Sequence, residues 1–394
     1  MIKEVSLCLL FAVVCGVVFA LATKWFLKTP RCRDPAKCPF RVAQLWSVGG
    51  VEGLSLVVWV RCGGLEQPWV IDTGFAGPPV LSLPWIVCGR KAKPEQCEHA
   101  YTSTSTEMAR SPPSEQTCRN ALNRFMKDCN ADSFTAGCTT TLMGIGASSV
   151  SNSDMILAPP LELLSSTGTY LSGRSCSGAP NADILSTTHM QTASLITCDW
   201  LRHNGPCLIS PKAKEFHVGI GGSELMQLHS SCKLFATELS GGAFVARVKV
   251  GGDTFHLTVD TGSALTISLG ANAAKKLASC DASGPMHVQQ QGVNGERVCS
   301  SIVWSKAEVA GRSLETPVFL NDHDIEQVDG YIGLGLLSCF DILISKTEMR
   351  LRFMEDDPEM RKRLVETSRT GWCDAAPRCG SRRERNEHIS NSRG

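Results

Sequence analysis

Two stretches of this chain repeat one another 188 residues apart, and that repeat restricts the fold more than any other feature. Val60–Gly74 reads VRCGGLEQPWVIDTG and Val248–Gly262 reads VKVGGDTFHLTVDTG, aligned without a gap. Each predicts a strand, a Gly-Gly turn and a second apolar strand that carries an acid, Asp72 or Asp260, into a tight Thr-Gly turn. Two half-sites with one carboxylate each are what a carboxylate dyad requires.

The duplication continues beyond the acids. Leu142-Met143-Gly144-Ile145-Gly146 places its first glycine 72 residues after Asp72, and Tyr331-Ile332-Gly333-Leu334-Gly335 places its own 73 after Asp260. Near the end of each unit comes Ile-Ser and an alternating apolar strand: Ile209-Ser210 leads to Phe216 and Val218, and Ile344-Ser345 leads to Leu351 and Phe353. Three signals thus recur in one order.

These residues resemble the bilobal aspartic endopeptidases of the pepsin type over roughly residues 50–356. In that family each lobe supplies one Asp-Thr/Ser-Gly loop and an apolar-apolar-Gly segment behind it. LTVDTGSALTISLG and DGYIGLGLLSCFDILISKTEMRLRF also look like the single-domain, retroviral-type relatives, and GPCLISPKAKEFHVGIGG resembles the closing strands of an amino-terminal lobe. The resemblance implies an all-β, bilobal pepsin-like fold of two related β-barrel-like lobes with the active site between them. The expected divisions are a signal peptide or anchor at 1–22, a basic leader or stalk at 23–49, lobes at 50–225 and 226–356, and a charged tail at 357–394.

The resemblance also assigns roles. Asp72 and Asp260 would share one proton, because two carboxyls a few ångström apart do not both ionise easily. One then acts as base toward a water and the other as acid toward the scissile carbonyl. Thr73 and Thr261 would hydrogen-bond across the lobe interface, Gly74 and Gly262 would let backbone amides approach the carboxylates, and Ser263 would donate to its carboxylate. The apolar runs Trp69-Val70-Ile71 and Leu257-Thr258-Val259 would keep water from beneath the pair. No cofactor or metal enters this chemistry.

Two departures bear on activity. Phe75 stands where the second triplet is followed by Ser263, so Asp72 lacks one expected partner, and its ring either desolvates Asp72 or enters the cleft. The flap, a hairpin that carries a Tyr over the substrate in the family, has one candidate among the three tyrosines: Tyr101, 29 residues past Asp72 in EHAYTSTSTEM, a polar stretch read as hairpin. Tyr170 comes too late in the first half, and Tyr331 belongs to the apolar-apolar-Gly segment.

Low charge and abundant Gly, Val, Thr and Ser favour strands and turns over long helices. A formal net charge of +1 gives nucleic-acid binding no electrostatic support. The paired-glycine segments do not continue to a third glycine and a helix, which weighs against a dinucleotide loop, and no Gly-x-Ser-x-Gly elbow is present. Residues 147–195, rich in Ser and Thr, read as an elaborated connection within the first lobe.

The apolar run Val5–Ala22 follows a basic start and ends in a small-x-small site, so it is either cleaved after Ala22 or kept as a membrane anchor through residues 5–22. Both place the body in the secretory pathway or outside the cell. Beyond Cys8 and Cys15 there remain 17 cysteines, and in such a compartment disulfides are the default. Cys88, Cys97, Cys118, Cys129 and Cys138 then suggest a stapled insertion near the cleft entrance. The reading is a monomeric aspartic endopeptidase acting on a peptide or protein substrate. The competing class is a non-catalytic binding module on the same fold.

Overall fold

In the computed structural model, the described residues are 41–50, 53–89, 93–129, 132–133, 153–172, 182–188, 193–238, 242–277, 286–291, 297–323, 325 and 327–370. The apolar run 5–22, the basic leader, Leu142–Gly146 and the chain beyond 370 lie outside them. Among the described residues no helix is long and apolar enough to cross a membrane.

The first half opens with three antiparallel strands, β1 (Arg41–Gly50), β2 (Gly53–Cys62) and β3 (Leu65–Asp72). Next come β4 (Val80–Ser82) and three helices: α1 (Leu83–Cys88), α2 (Cys97–Arg110) and α3 (Glu115–Cys129). β5 (Asp132–Ser133), β6 (Ser153–Ala158), β7 (Glu162–Leu164), β8 (Tyr170–Ser172) and β9 (Ala182–Thr187) follow. The half closes with β10 (Leu195–Thr197), α4 (Cys198–His203), β11 (Cys207–Ser210) and β12 (Glu215–Val218).

After α5 (Gly222–Ser231) the plan repeats. β13 (Lys233–Glu238), β14 (Phe244–Val250), β15 (Asp253–Asp260), β16 (Ile267–Leu269) and α6 (Ala271–Leu277) precede the hairpin β17 (Met286–Gln291) and β18 (Arg297–Val309). Then come β19 (Arg312–Asn321), β20 (Gly330–Gly333), α7 (Leu334–Leu337), β21 (Phe340–Ile344), β22 (Glu348–Phe353) and α8 (Pro358–Thr370).

The two halves share their pairings as well as their order. β3 runs parallel to β10, and β4 lies parallel to β9 and antiparallel to β10. β15 runs parallel to β20, and β16 lies parallel to β19 and antiparallel to β20. Leu257 and Val259 on β15, like Trp69 and Ile71 on β3, are fully buried in one apolar core, which is why the second strand of each repeat is apolar. The repeated Gly-Gly turns are needed because Gly63 and Gly251 take left-handed φ values of 59° and 61°.

One sheet joins the halves, in the order β1–β12–β11–β21–β22–β13. At its middle Leu208 pairs with Leu343, flanked by Cys207 with Ile344 and Ile209 with Ile342. This register relates the two Ile-Ser motifs by a local twofold. Beside the seam Ser210 Oγ donates to the buried Asp341 at 2.5 Å, and Arg352 holds the other oxygen at 2.6 and 3.1 Å. The bilobal, pepsin-like, mainly β fold expected from the repeat is therefore present.

Two expectations fail here. The segment read as a flap hairpin is the helix α2, which with α3 lies in the chain between α1 and β5. Its buried positions, Cys97, Ala100, Tyr101, Thr104, Ser105 and Met108, follow helical spacing. The Ser/Thr content hid that period, because Thr104 and Ser105 are themselves buried. The segment that passes behind the first acid is β10, Leu195-Ile196-Thr197, in place of Leu142-Met143-Gly144.

The disulfide framework is also not seen: among the described residues Cys62, Cys88, Cys97, Cys118, Cys198, Cys207, Cys232 and Cys339 are thiols. All but Cys88 are buried and pack as small hydrophobes. Burial pushes the Cys97 and Cys207 thiols up to about 12.

Candidate active site

Parallel pairing delivers the two acids to the seam. β3 ends at Asp72 beside Thr197, and β15 ends at Asp260 beside Gly333. Beyond each acid the chain turns at once, and two backbone N–H groups fold back onto one carboxylate oxygen. Gly74 and Phe75 donate to Asp72 Oδ1 at 2.8 and 3.1 Å, while Gly262 and Ser263 donate to Asp260 Oδ1 at 2.8 and 3.2 Å. Each acid keeps its second oxygen for chemistry.

The threonines lock the loops across the seam. Thr73 N–H donates to Thr261 Oγ1 and Thr261 N–H to Thr73 Oγ1, both at 3.1 Å. Thr73 Oγ1 donates to the Val259 carbonyl and Thr261 Oγ1 to that of Ile71, both at 2.8 Å. Both threonines are fully buried. Replacing either by Val removes one hydroxyl and leaves a buried N–H and a buried carbonyl unmet, so we expect a loss of about 3 kcal/mol from each. Urea unfolding of Thr73→Val and Thr261→Val checks this, and a loss under about 1 kcal/mol would show that the ladder does not hold the halves together.

The glycines have a further reason to be there. A Cβ on Gly74 would lie 2.5 Å from Asp260 Cγ, and one on Gly262 would lie 2.6 Å from Asp72 Cγ. Each glycine makes room for the acid of the opposite half, which brings the carboxyls close enough to hydrogen-bond to one another.

Both carboxyls are hard to ionise. Burial, then the negative charge of Asp260 and the hydrogen bond to it, hold Asp72 well above the ordinary carboxyl range. Burial also raises Asp260, but the Gly262 N–H, the hydrogen bond from Asp72 and the Ser263 N–H all favour its ionised form. Both carboxyls are therefore raised by burial, and the one proton belongs to the pair.

The remaining residues divide cleanly. Phe75 keeps its backbone bond to Asp72 and turns its ring along its own loop, with Cε1 2.8 Å from where a Cβ on Gly77 would be. There it packs with the core cluster that contains Trp85 and Tyr101. Ser263 holds Asp260 through its backbone, and its Oγ accepts from Leu265 N–H at 3.4 Å. Tyr101 is not over the cleft: it is 2% exposed, donates to Ser55 Oγ at 3.0 Å, and its ring lies 5.2 Å from that of Trp85.

Thr197 is the residue the sequence reading missed. At the matching position of the second half, a Cβ on Gly333 would meet the Leu265 and Ser263 carbonyls at 2.6 and 2.7 Å. The first half accommodates a side chain, and Thr197 Oγ1 donates to the Gly77 carbonyl. A search for glycine passes over it; the apolar pair Leu195-Ile196, leading into Thr197 and α4, was the available signal.

No protein-family model and no curated protein matches the chain. Among solved structures it is similar to the basic 7S globulin from soybean, at 8% identity and a TM-score of 0.42, over 79% of this chain and 94% of that one. It is also similar to a retropepsin-like aspartic protease from Rickettsia conorii, at 20% identity and a TM-score of 0.25, over 30% of this chain and 88% of that one.

Proposed function

We propose that the protein is an aspartic endopeptidase that hydrolyses peptide bonds with a water activated between Asp72 and Asp260. One observation carries this reading: two carboxyls from opposite halves meet at the seam, each packed against the glycine of the opposite loop and each with one oxygen held by two N–H groups.

The chemistry follows from one proton shared by two carboxyls. The ionised member takes a proton from water as the oxygen attacks the scissile carbonyl carbon, and the protonated member gives its proton to the carbonyl oxygen, leaving a neutral gem-diol. The first then passes its proton to the departing nitrogen while the second recovers one from the gem-diol. The carbon–nitrogen bond breaks, and the pair returns to its starting state without a covalent intermediate.

The Val5–Ala22 run supports action in the secretory pathway or outside the cell; the proposed substrate is a peptide or protein, and the proposed acting form is a monomer. A second reading, a non-catalytic peptide-binding module, is favoured by α2 and α3 standing where a closing hairpin is expected. Cleavage of an unfolded protein between pH 3 and 7 by the body from Thr23 onward separates them. The endopeptidase reading expects turnover on the acidic side, where one proton remains on the pair, blocked by a statine-type inhibitor whose hydroxyl takes the place of the attacking water. Well-folded protein that cuts nothing across that range, yet binds the inhibitor, would leave the binding module.

A further inference from the structure

The two halves present opposite surfaces at equivalent positions beside the acids. Two residues before Thr197 is Leu195, and two residues before Gly333 is Tyr331. Leu195 is buried with Val70 in the cluster of Trp85 and Tyr101, so α1 and α2 cover that position. At the matching position of the second half Tyr331 is partly exposed.

Register fixes which way Tyr331 faces. Thr258 pairs with Tyr331 and Asp260 with Gly333 on adjacent parallel strands. Side chains alternate along a strand, and Leu257, Val259 and Ile332 all point into the core. Thr258, Asp260 and Tyr331 therefore share the other face. Burial and the nearby charge of Asp260 push the phenol up to about 12, which keeps it protonated and a donor at any working pH. Among the described residues its hydroxyl has no hydrogen-bond partner, and it is not one of the unpartnered atoms sealed from solvent.

We infer that side-chain recognition beside the cut is one-sided. The first-half subsite is filled by the protein's own core, and Tyr331 on the second half donates a hydrogen bond to an acceptor-bearing substrate side chain at one of the two positions flanking the scissile bond. This rests on the endopeptidase reading and narrows its substrate class to peptides with an amide such as Gln at that position.

The test profiles an equimolar peptide library with the parent and Tyr331→Phe. The parent should prefer Gln over Leu at one flanking position by roughly 3- to 10-fold, the ratio that one neutral hydrogen bond carries. The other position should show little selection. Tyr331→Phe should bring the ratio to about 1 and leave the pH profile unmoved, which separates a lost contact from a disturbed dyad. An unchanged ratio in Tyr331→Phe, or equal selection at both positions, overturns the inference. Calorimetry with reduced-bond peptides carrying Gln or Leu reads the contact without turnover. A Gln preference lost in Tyr331→Phe while nothing is cut would keep the contact and sink proteolysis, and no binding of either peptide would overturn both.

Discussion

Asp260→Asn and Asp72→Asn are each expected to lose roughly 10³- to 10⁴-fold in peptide hydrolysis, because each removes one of two coupled proton-transfer roles. With one carboxyl left, the site cannot present both a base to the water and an acid to the carbonyl. The fold should survive, since an Asn Oδ1 still accepts the N–H bonds that hold either carboxylate. Residual activity within about tenfold of the parent would place the chemistry elsewhere.

The same substitution at position 72 should stabilise the protein at neutral pH, and the sign follows from the raised pKa. The folded protein binds the Asp72 proton more tightly than the unfolded chain, whose Asp titrates near 3.9. That contribution is fully present below about pH 4 and is lost as pH rises toward the folded-state value, at up to about 1.4 kcal/mol per pH unit. Asn does not ionise and escapes the loss. The melting temperature of Asp72→Asn should exceed that of the parent at pH 7, and the gap should close by pH 3. A gap that stays constant with pH would mean that burial beside Asp260 does not raise the Asp72 carboxyl.

How much of this was legible in the sequence depends on where each constraint acts. The acids, the threonines and the second-half Gly333 were readable because the duplication displays them twice, or because steric contact with carbonyls permits only glycine. The interlobe sheet was readable only as two Ile-Ser motifs; that Leu208 meets Leu343 depends on a pairing far apart in sequence. The α2 and α3 insertion was misread because composition argued for turns. Its signal was periodicity: Cys118, Leu122, Phe125 and Met126 on α3, like the buried face of α2, repeat at helical spacing. Thr197 was missed because a hydroxyl bond to Gly77 replaces the steric need for glycine, and no pattern of residue types announces that exchange.

Gly74→Ala and Gly262→Ala should each cost about 10²-fold or more in activity, although each adds only a methyl group. Non-bonded carbons pack at about 3.5–4.0 Å, whereas the new Cβ would lie 2.5 Å from Asp260 Cγ in one variant and 2.6 Å from Asp72 Cγ in the other. Something must move by about 1 Å, and a displacement of that size at reacting groups costs on the order of 10²-fold. Two escapes exist, and neither preserves the site. If the carboxylate retreats, it stretches the two N–H bonds that hold it and separates the oxygens that share the proton. If the halves part instead, they strain the Thr73–Thr261 bonds across the seam, and unfolding resistance falls with activity. Gly64→Ala is the control, since a Cβ there has no atom within 4 Å, and its activity should stay within about twofold by the usual scale of surface substitutions. Crystal structures of the two active-site variants would show which escape is taken. Full activity in either would mean that the acids do not meet as closely as the glycines allow, and the proton-sharing account of this site would fail with it.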